Sequence, residues 1–237
     1  MKTTIFNITI SVLFFMGLTA TINAQDEATE EETSSISVGA DLVSRYVWRG
    51  VDFGNTPCIQ PGIEFAAGGF SLGTWGSYGL SSNTGALEAD LYVAYAFEFG
   101  LSVGVTDYYF PGETLISDGD TILPVRSGAY FDYDNEHAFE ANVGYEYENF
   151  SISANYMFLN GDNDLYFELG YAFKDASVFV GGGNEAYTSD GEFNVCNVGI
   201  STSKDLKVSD EFTIPVSGAF IVNPDLEQVH IVFGLSF

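Results

Sequence analysis

Apolar residues recur at every second position from residue 35 to the end of the chain. Ile36, Val38 and Leu42 alternate with small or polar residues in the first stretch, and the last stretch is apolar at every second position from Val229 to Phe237. A period of two residues is typical of a β-strand that has one apolar face. The pattern therefore predicts an all-β chain.

Twelve segments carry the alternation, and their lengths suit strands that cross a hydrocarbon layer at a tilt. The predicted strands are residues 36–48, 59–67, 70–78, 87–98, 101–109, 137–146, 150–158, 164–172, 177–183, 193–202, 212–222 and 229–237. The alternation slips by one residue in segments 177–183 and 193–202, which a β-bulge would explain.

The connections between these segments alternate in length. Tight turns lie at 68–69, 99–100, 147–149 and 173–176, and longer polar loops lie at 49–58, 79–86, 110–136, 159–163, 184–192 and 223–228. Short turns at one end and longer loops at the other are the arrangement of a transmembrane barrel. The polar segment 203–211 departs from this rule, since it predicts a long turn at the short-turn end.

Two closed β-architectures fit this pattern. A soluble barrel or sandwich buries the apolar face, whereas a membrane barrel turns that face toward lipid. Aromatic residues near the predicted strand ends, such as Tyr46, Tyr95 and Tyr171, and the terminal Phe237 favour the membrane barrel. In lipid the sheet must close, because unpaired backbone groups are costly there. We therefore predict a transmembrane antiparallel up-and-down β-barrel of about twelve strands over residues 36–237.

The first 35 residues are expected to lie outside the barrel. Met1-Lys2, the apolar stretch from Ile5 to Leu18 and the small residues ending at Ala24 are typical of a cleaved signal peptide over residues 1–24. Residues 25–35 would then form an acidic N-terminal tail. Export through the inner membrane and location in a bacterial outer membrane follow, with outer-membrane lipid as a partner. The C-terminal strand ending in Phe237 is expected to engage the barrel-assembly machinery.

The charge balance excludes one class of partner. The chain has 33 acidic residues and 7 Lys plus Arg, a net charge of −26. Nucleic-acid binding by phosphate neutralisation needs many cations, so we expect no nucleic-acid partner. No clustered Cys and His spacing suggests a metal site, and we expect no metal and no cofactor. Cys58 and Cys196 either form a disulfide, as an exported chain allows, or remain two buried thiols.

Charged residues share the polar face of the predicted strands and would therefore line the lumen. The candidate selectivity residues are Asp41, Arg45, Arg49, Glu64, Glu88, Asp90, Glu140 and Glu168. Arg45 and Arg49 are placed on the inner face of the first strand, opposite carboxylates on the other walls. An excess of carboxylates in a pore favours cations. Neutralising Glu88 and Asp90 is therefore expected to lower the permeability of K⁺ relative to Cl⁻.

Four motifs carry a resemblance to a known family. Ser44–Gly50 (SRYVWRG), Leu87–Tyr92 (LEADLY), Tyr108–Gly112 (YYFPG) and Val198–Lys204 (VGISTSK) resemble the TorF family of outer-membrane porins, over roughly residues 36 to 237. Phe110 stands between the tyrosine pair and Pro111, where the chain departs from the family pattern. The resemblance implies an outer-membrane barrel and passive transport.

We expect a porin-like protein for passive diffusion of small polar solutes, biased toward cations, and not an enzyme. Twelve strands lie between the eight that side chains fill and the sixteen that leave an aqueous channel. A closed structural or adhesive barrel without channel activity is therefore the alternative. A membrane-embedded lipid-modifying enzyme is a further alternative, for which His230 is the lumen-facing histidine. Loop 110–136 either folds inward as a constriction or stays at the surface.

Overall fold

The computed structural model describes residues 34–81, 87–111, 113–118, 121–126, 130–134, 136–210 and 212–237. The predicted signal peptide and residues 25–33 of the predicted acidic tail lie outside these ranges. Within the described ranges, no helix has the length and apolar character needed to cross a membrane.

Strands account for most of the described chain, with one short 3₁₀ helix at Glu185–Tyr187. The strands are β1 Ser35–Val43, β2 Val47–Trp48, β3 Val51–Asp52, β4 Cys58–Ala67, β5 Phe70–Gly79, β6 Glu88–Ala96, β7 Leu101–Tyr109, β8 Glu113–Asp118, β9 Thr121–Arg126, β10 His137–Tyr147, β11 Phe150–Leu159, β12 Leu165–Ala172, β13 Ser177–Gly183, β14 Asn194–Lys207, β15 Thr213–Asn223 and β16 Gln228–Ser236.

Twelve of these strands form a closed antiparallel barrel, in the order β1-β4-β5-β6-β7-β10-β11-β12-β13-β14-β15-β16, and β16 returns to pair with β1. The predicted barrel of about twelve strands is confirmed. The remaining strands form two small hairpins, β2–β3 and β8–β9. The closed order leaves the wall without a free sheet edge along most of its length, as a lipid environment requires.

The barrel is apolar outside and polar inside. On β6, Leu91, Val93 and Tyr95 are exposed, whereas Glu88 and Asp90 on the opposite face are buried. Strands β4, β10 and β12 show a similar alternation, because successive side chains of a strand point to opposite faces. An exterior of this kind is the lipid-facing surface of a transmembrane barrel.

The first strand is shorter than predicted. Segment 36–48 was predicted as one strand, but β1 ends at Val43. Ser44 forms the last hydrogen bonds to β16, two of them with Phe233 (2.8 and 2.9 Å). The chain then turns into the barrel, and Arg49 adopts φ +50°, which an extended strand does not allow. The placement of Arg45 and Arg49 on the inner face of the first strand is therefore wrong.

Two other predictions concern β14. The predicted bulge is confirmed, since the β13–β14 register shifts between Gly181 and Gly182 and leaves Cys196 as the extra residue. The predicted long turn at 203–211 is wrong. Residues 203–207 continue β14 and pair with Thr213–Ser217 of β15.

Loop 110–136 contains a hairpin of its own. Strands β8 and β9 pair with each other as a two-stranded sheet that is separate from the barrel sheet. Either role that the sequence leaves open for this loop, inward constriction or surface loop, stays a prediction.

Candidate functional site

The interior of the barrel is crossed by the segment between β1 and β4, residues 44–57, which we call the inner hairpin. At its first arm, the Tyr46 hydroxyl donates to Glu88 Oε2 on β6 (2.7 Å), and the Tyr46 ring packs against Trp75 of β5. At its tip, the Gly50 carbonyl accepts a hydrogen bond from Asn223 Nδ2 on β15 (3.1 Å). The inner hairpin therefore reaches walls that lie on different sides of the lumen.

Arg49 fixes the tip of the inner hairpin. Its guanidinium donates to Glu140 of β10 through Nη1 (2.6 Å) and Nη2 (2.9 Å), and Nη1 also donates to the Tyr187 hydroxyl. The same group lies 4.4 Å from the Trp48 ring centroid and 4.6 Å from that of Tyr166. A bidentate ion pair held between aromatic rings leaves the Arg49 guanidinium little freedom to move.

The partners of Glu140 complete this arrangement. Tyr108 donates to Glu140 Oε1 (3.0 Å), and Asn142 Nδ2 donates to the same oxygen (2.6 Å). The Glu140 carboxylate thus accepts four hydrogen bonds, two of them from Arg49, and such added hydrogen bonds are the condition under which a buried ion pair is tolerated.

Glycine is required where the tip of the inner hairpin meets the wall. Gly50 has φ +83°, and a Cβ there would lie 2.0 Å from the carbonyl oxygen of Cys196. Beside it, the Trp48 ring packs at 5.5 Å from Tyr108 and 5.6 Å from Tyr187. The inner hairpin thus fills the lumen with aromatic rings at the level of Arg49.

Of the remaining predicted lumen carboxylates, Glu64 and Glu168 accept hydrogen bonds from side chains of the barrel strands. Glu64 accepts from the Tyr92 hydroxyl (2.9 Å). Glu168 accepts from the Tyr166 hydroxyl and from Asn197 Nδ2 (2.9 Å). Asp90 is buried on β6, and its Oδ1 has no hydrogen-bond partner among the described residues. A role of these carboxylates in selectivity stays a prediction.

Arg45 lies on the side of the inner hairpin that faces β14–β16. Its Nη1 donates to Asp52 across the hairpin. Arg45 also lines two spaces. The first, about 180 Å³, is bounded by polar residues such as Asp41, Gln60 and Ser236, and we call it the inner space. The second, about 490 Å³, is bounded by Asp52, Asn55, Gln228 and His230, and we call it the vestibule.

The arrangement divides the predicted charged set in two. Arg49, Glu88 and Glu140 are brought together by the inner hairpin and are buried in its contacts. Arg45 and Asp41 instead line the inner space that the hairpin leaves beside it. The predicted cross-lumen pairing of an arginine with a carboxylate therefore occurs for Arg49, whereas Arg45 pairs with Asp52 of its own loop.

The comparisons with known proteins identify a family. A family model described as "Bacterial protein of unknown function (Gcw_chp)" matches residues 27–178, which is more than half of the chain. The chain belongs to this family. The family finding does not name TorF, so that resemblance stays a prediction. No curated protein matches the sequence.

One solved structure similar to this Gcw_chp chain is a KdgM porin. It is 13% identical in sequence, covers 86% of this chain and 98% of its own, and has a TM-score of 0.45. Likeness at that level does not transfer the porin's properties to this chain.

The family match covers only part of the candidate site. Residues 27–178 of the Gcw_chp chain include the inner hairpin and Glu140, but Tyr187, Asn223 and His230 lie beyond the matched range. The inner hairpin therefore contacts residues inside the matched range, such as Glu140, and residues beyond it, such as Tyr187 and Asn223.

Sequence reasoning missed the inward turn of the chain, and with it Asp52 and Tyr187. The available signal was Gly50, a glycine directly after the predicted strand, because glycine allows backbone conformations other than the extended one. In the structure both Arg49 and Gly50 have positive φ. The cysteines are resolved as two free, buried thiols. Within the described ranges, no group of three or more His, Cys, Asp or Glu side chains is placed to hold a metal ion.

Proposed function

We propose that this chain is an outer-membrane barrel through which small polar solutes diffuse passively along a narrow path beside the inner hairpin. The observation that carries the proposal is the pair of spaces, about 180 and about 490 Å³, that share Arg45 in their lining and have charged and polar side chains among their walls. The apolar exterior of the barrel supports a membrane location. The TorF resemblance points to the same activity, and passive transport requires no catalytic residue.

The Arg45–Asp52 ion pair is the proposed gate. The Arg45 side chain is 35% exposed and that of Asp52 is 12% exposed, whereas Arg49 and Glu140 are 10% and 0% exposed. A partly solvated ion pair contributes little stability and exchanges readily with water. A solute can therefore displace the Arg45–Asp52 pair while the Arg49–Glu140 pair holds the inner hairpin in place.

We further propose a bias toward cations. Asp41 lines the inner space, and the full chain carries a net charge of −26. Carboxylates at a constriction attract cations and repel anions. Glu64, Glu88, Asp90, Glu140 and Glu168 would add to this field at longer range, because each of them is bonded or buried in the wall.

A closed structural barrel is the second candidate function. The observation that favours it is the inner hairpin itself, because its ion pair and aromatic rings cross the lumen at one level. A barrel of this kind would stabilise the envelope and conduct nothing.

Planar-bilayer recordings separate the two functions. The refolded wild-type protein is compared with Asp52→Asn, which weakens the gate, and with Asp210→Asn, which removes the exposed Lys207–Asp210 pair at a turn. We expect a small conductance in the wild type, a higher open probability in Asp52→Asn and no change in Asp210→Asn. Electrical silence of all three proteins would contradict transport and support the closed barrel.

A further inference from the structure

The seam between the first and last barrel strands is short. On one side β1 pairs with β4 along its whole length, but on the other side it pairs with β16 only from Asp41 to Val43. Two backbone hydrogen bonds between Ala40 and Phe237, and two hydrogen bonds between Ser44 and Phe233, extend this seam at its ends. Residues 228–232, which precede Phe233 in β16, have β15 on one side and no described strand on the other.

We call the unpaired side of residues 228–232 the gap, and the path of the inner hairpin causes it. The chain leaves the wall at Ser44 and re-enters it at Cys58, so neither β1 nor β4 continues beside the upper part of β16. At about 3.3 Å per residue, five residues of strand edge leave an opening roughly 16 Å long.

The gap lies at the level of the apolar exterior. Val229 is opposite Val222 of β15, and Val222 is opposite Val198 of β14, so the three residues form one row on the outer face. Val198 is 36% exposed, whereas Val229 is 58% and Ile231 is 59% exposed. The outward side chains of Val229, Ile231 and Phe233 (63% exposed) on β16 are thus all accessible from outside the barrel.

The vestibule touches both faces of this strand edge. Its lining includes Val229, whose side chain is on the outer face, and His230, whose side chain is on the inner face. The vestibule therefore lies at the edge of β16, with an outward-facing and an inward-facing residue of that strand in its lining.

His230 is a buried polar residue in the lining of the vestibule, and its ring nitrogens lack hydrogen-bond partners among the described residues. The residue is 5% exposed. Buried polar groups are nearly always hydrogen-bonded, and an exception calls for a missing partner. The unpaired backbone edge of residues 228–232 would also be costly if it faced hydrocarbon alone.

We propose that the gap and the vestibule form a lateral binding site for a single-chain amphiphile with an uncharged, hydroxyl-bearing headgroup. The headgroup lies in the vestibule and hydrogen-bonds to His230, and the acyl chain leaves through the gap beside Val229 and Ile231. This site shares the vestibule with the proposed transport path, but binding does not depend on transport, so a protein without conductance would still bind the amphiphile.

The chemistry of the lining selects the headgroup. Asp52 pairs with Arg45, and the other polar side chains of the lining are the amides of Asn55 and Gln228 and the imidazole of His230, so the described lining of the vestibule holds no unpaired Asp, Glu, Lys or Arg. A neutral imidazole presents one donor and one acceptor, which matches a hydroxyl group. An anionic headgroup would also meet the repulsion of a chain with net charge −26.

Photolabelling of the full barrel tests the site. The protein is reconstituted in phosphatidylcholine nanodiscs with a trace of monoacylglycerol that carries a diazirine in its chain, and the labelled peptides are mapped by mass spectrometry. We expect the label to concentrate on residues 52–55 and 228–233. The reference surface is the outer face of β10 and β11 around Val143 and Ile152, which is also exposed and apolar. Equal labelling of the two surfaces would overturn the proposal.

Two variants and a charged probe test the role of the headgroup. His230→Phe keeps the ring but removes its hydrogen bonds, and it should lower labelling of the site about fivefold, the factor that one neutral hydrogen bond supplies. His230→Gln restores a donor and an acceptor and should recover labelling. A fatty acid with the same diazirine should label the site weakly. Unchanged labelling in His230→Phe, or equal labelling by the fatty acid, would overturn the headgroup assignment. If His230→Phe does not fold, the wild-type map still decides the site.

Discussion

Arg49 and Glu140 form the least exposed ion pair that the described residues contain, and their separation removes the main anchor of the inner hairpin. Glu140→Gln leaves a charged guanidinium in the interior without its counter-charge. Breaking one side of a buried pair costs about 3–5 kcal/mol. We expect a fall of that size in the free energy of unfolding, measured by urea titration of the protein in lipid vesicles.

The matched control for this prediction is Asp210→Asn. Asp210 pairs with Lys207 at an exposed turn, and such pairs contribute little to stability. We expect its unfolding transition to coincide with that of the wild type. If Glu140→Gln also coincided with the wild type, the Arg49–Glu140 pair would not anchor the inner hairpin.

Asp41 is the carboxylate of the predicted selectivity set that lines the inner space. Asp41→Asn removes a negative charge from the proposed path without removing its hydrogen-bonding capacity. We expect the permeability of K⁺ relative to Cl⁻ to fall, as shown by the reversal potential across a salt gradient. Asp175→Asn, at an exposed turn outside the lumen, is the control and should leave the reversal potential unchanged. An unaltered reversal potential in Asp41→Asn would remove that residue from the selectivity filter.

At the scale of elements, the inner hairpin decides how much of the lumen is open. Replacing residues 45–56 with a short Gly-Ser linker removes the ring of Trp48 and the ion pair of Arg49 while leaving the paired positions of the wall strands intact. A cleared barrel of twelve strands is wider than one that side chains fill. We therefore expect single-channel conductance to rise several-fold in planar bilayers.

Loop 110–136 provides the control at the same scale. A variant in which β8–β9, residues 113–126, are replaced by a linker should conduct as the wild type does, if the inner hairpin is the constriction. A rise in conductance in this variant, with none in the inner-hairpin variant, would assign the constriction to loop 110–136 instead.

The elements themselves were largely predictable from the sequence. The period-two pattern located the strands, because lipid on one side and polar lumen on the other impose opposite requirements on successive residues. The inner hairpin was not predictable in this way. Arg49 and Glu140 are 91 residues apart, and Gly50 and Asn223 are 173 apart, so their contacts depend on barrel closure rather than on a local pattern.

The candidate site shows the same division. The alternation of odd and even positions placed Asp41, Glu88 and Glu140 on the inner face, since each lies within a barrel strand, although the β10–β11 register shifts beside Glu140. Arg45 and Arg49 lie beyond the end of β1, where parity no longer determines direction. Which carboxylate meets which arginine is set by how residues 44–57 fold, and one sequence carries no local signal for that.

The whole molecule carries a net charge of −26, and this charge acts on ions over a distance that the salt concentration sets. The screening length is about 30 Å at 0.01 M salt and about 3 Å at 1 M. At low salt, charges throughout the barrel and its loops therefore contribute to the potential at the constriction, whereas at high salt only adjacent groups such as Asp41 do. We expect the K⁺ over Cl⁻ permeability ratio to be greatest at about 0.01 M salt and to fall steeply toward 1 M. The reversal potential, measured at a fixed salt gradient over this range, checks the prediction. A ratio that does not change with salt would show that selectivity comes from local contacts and that the acidic composition has no part in it.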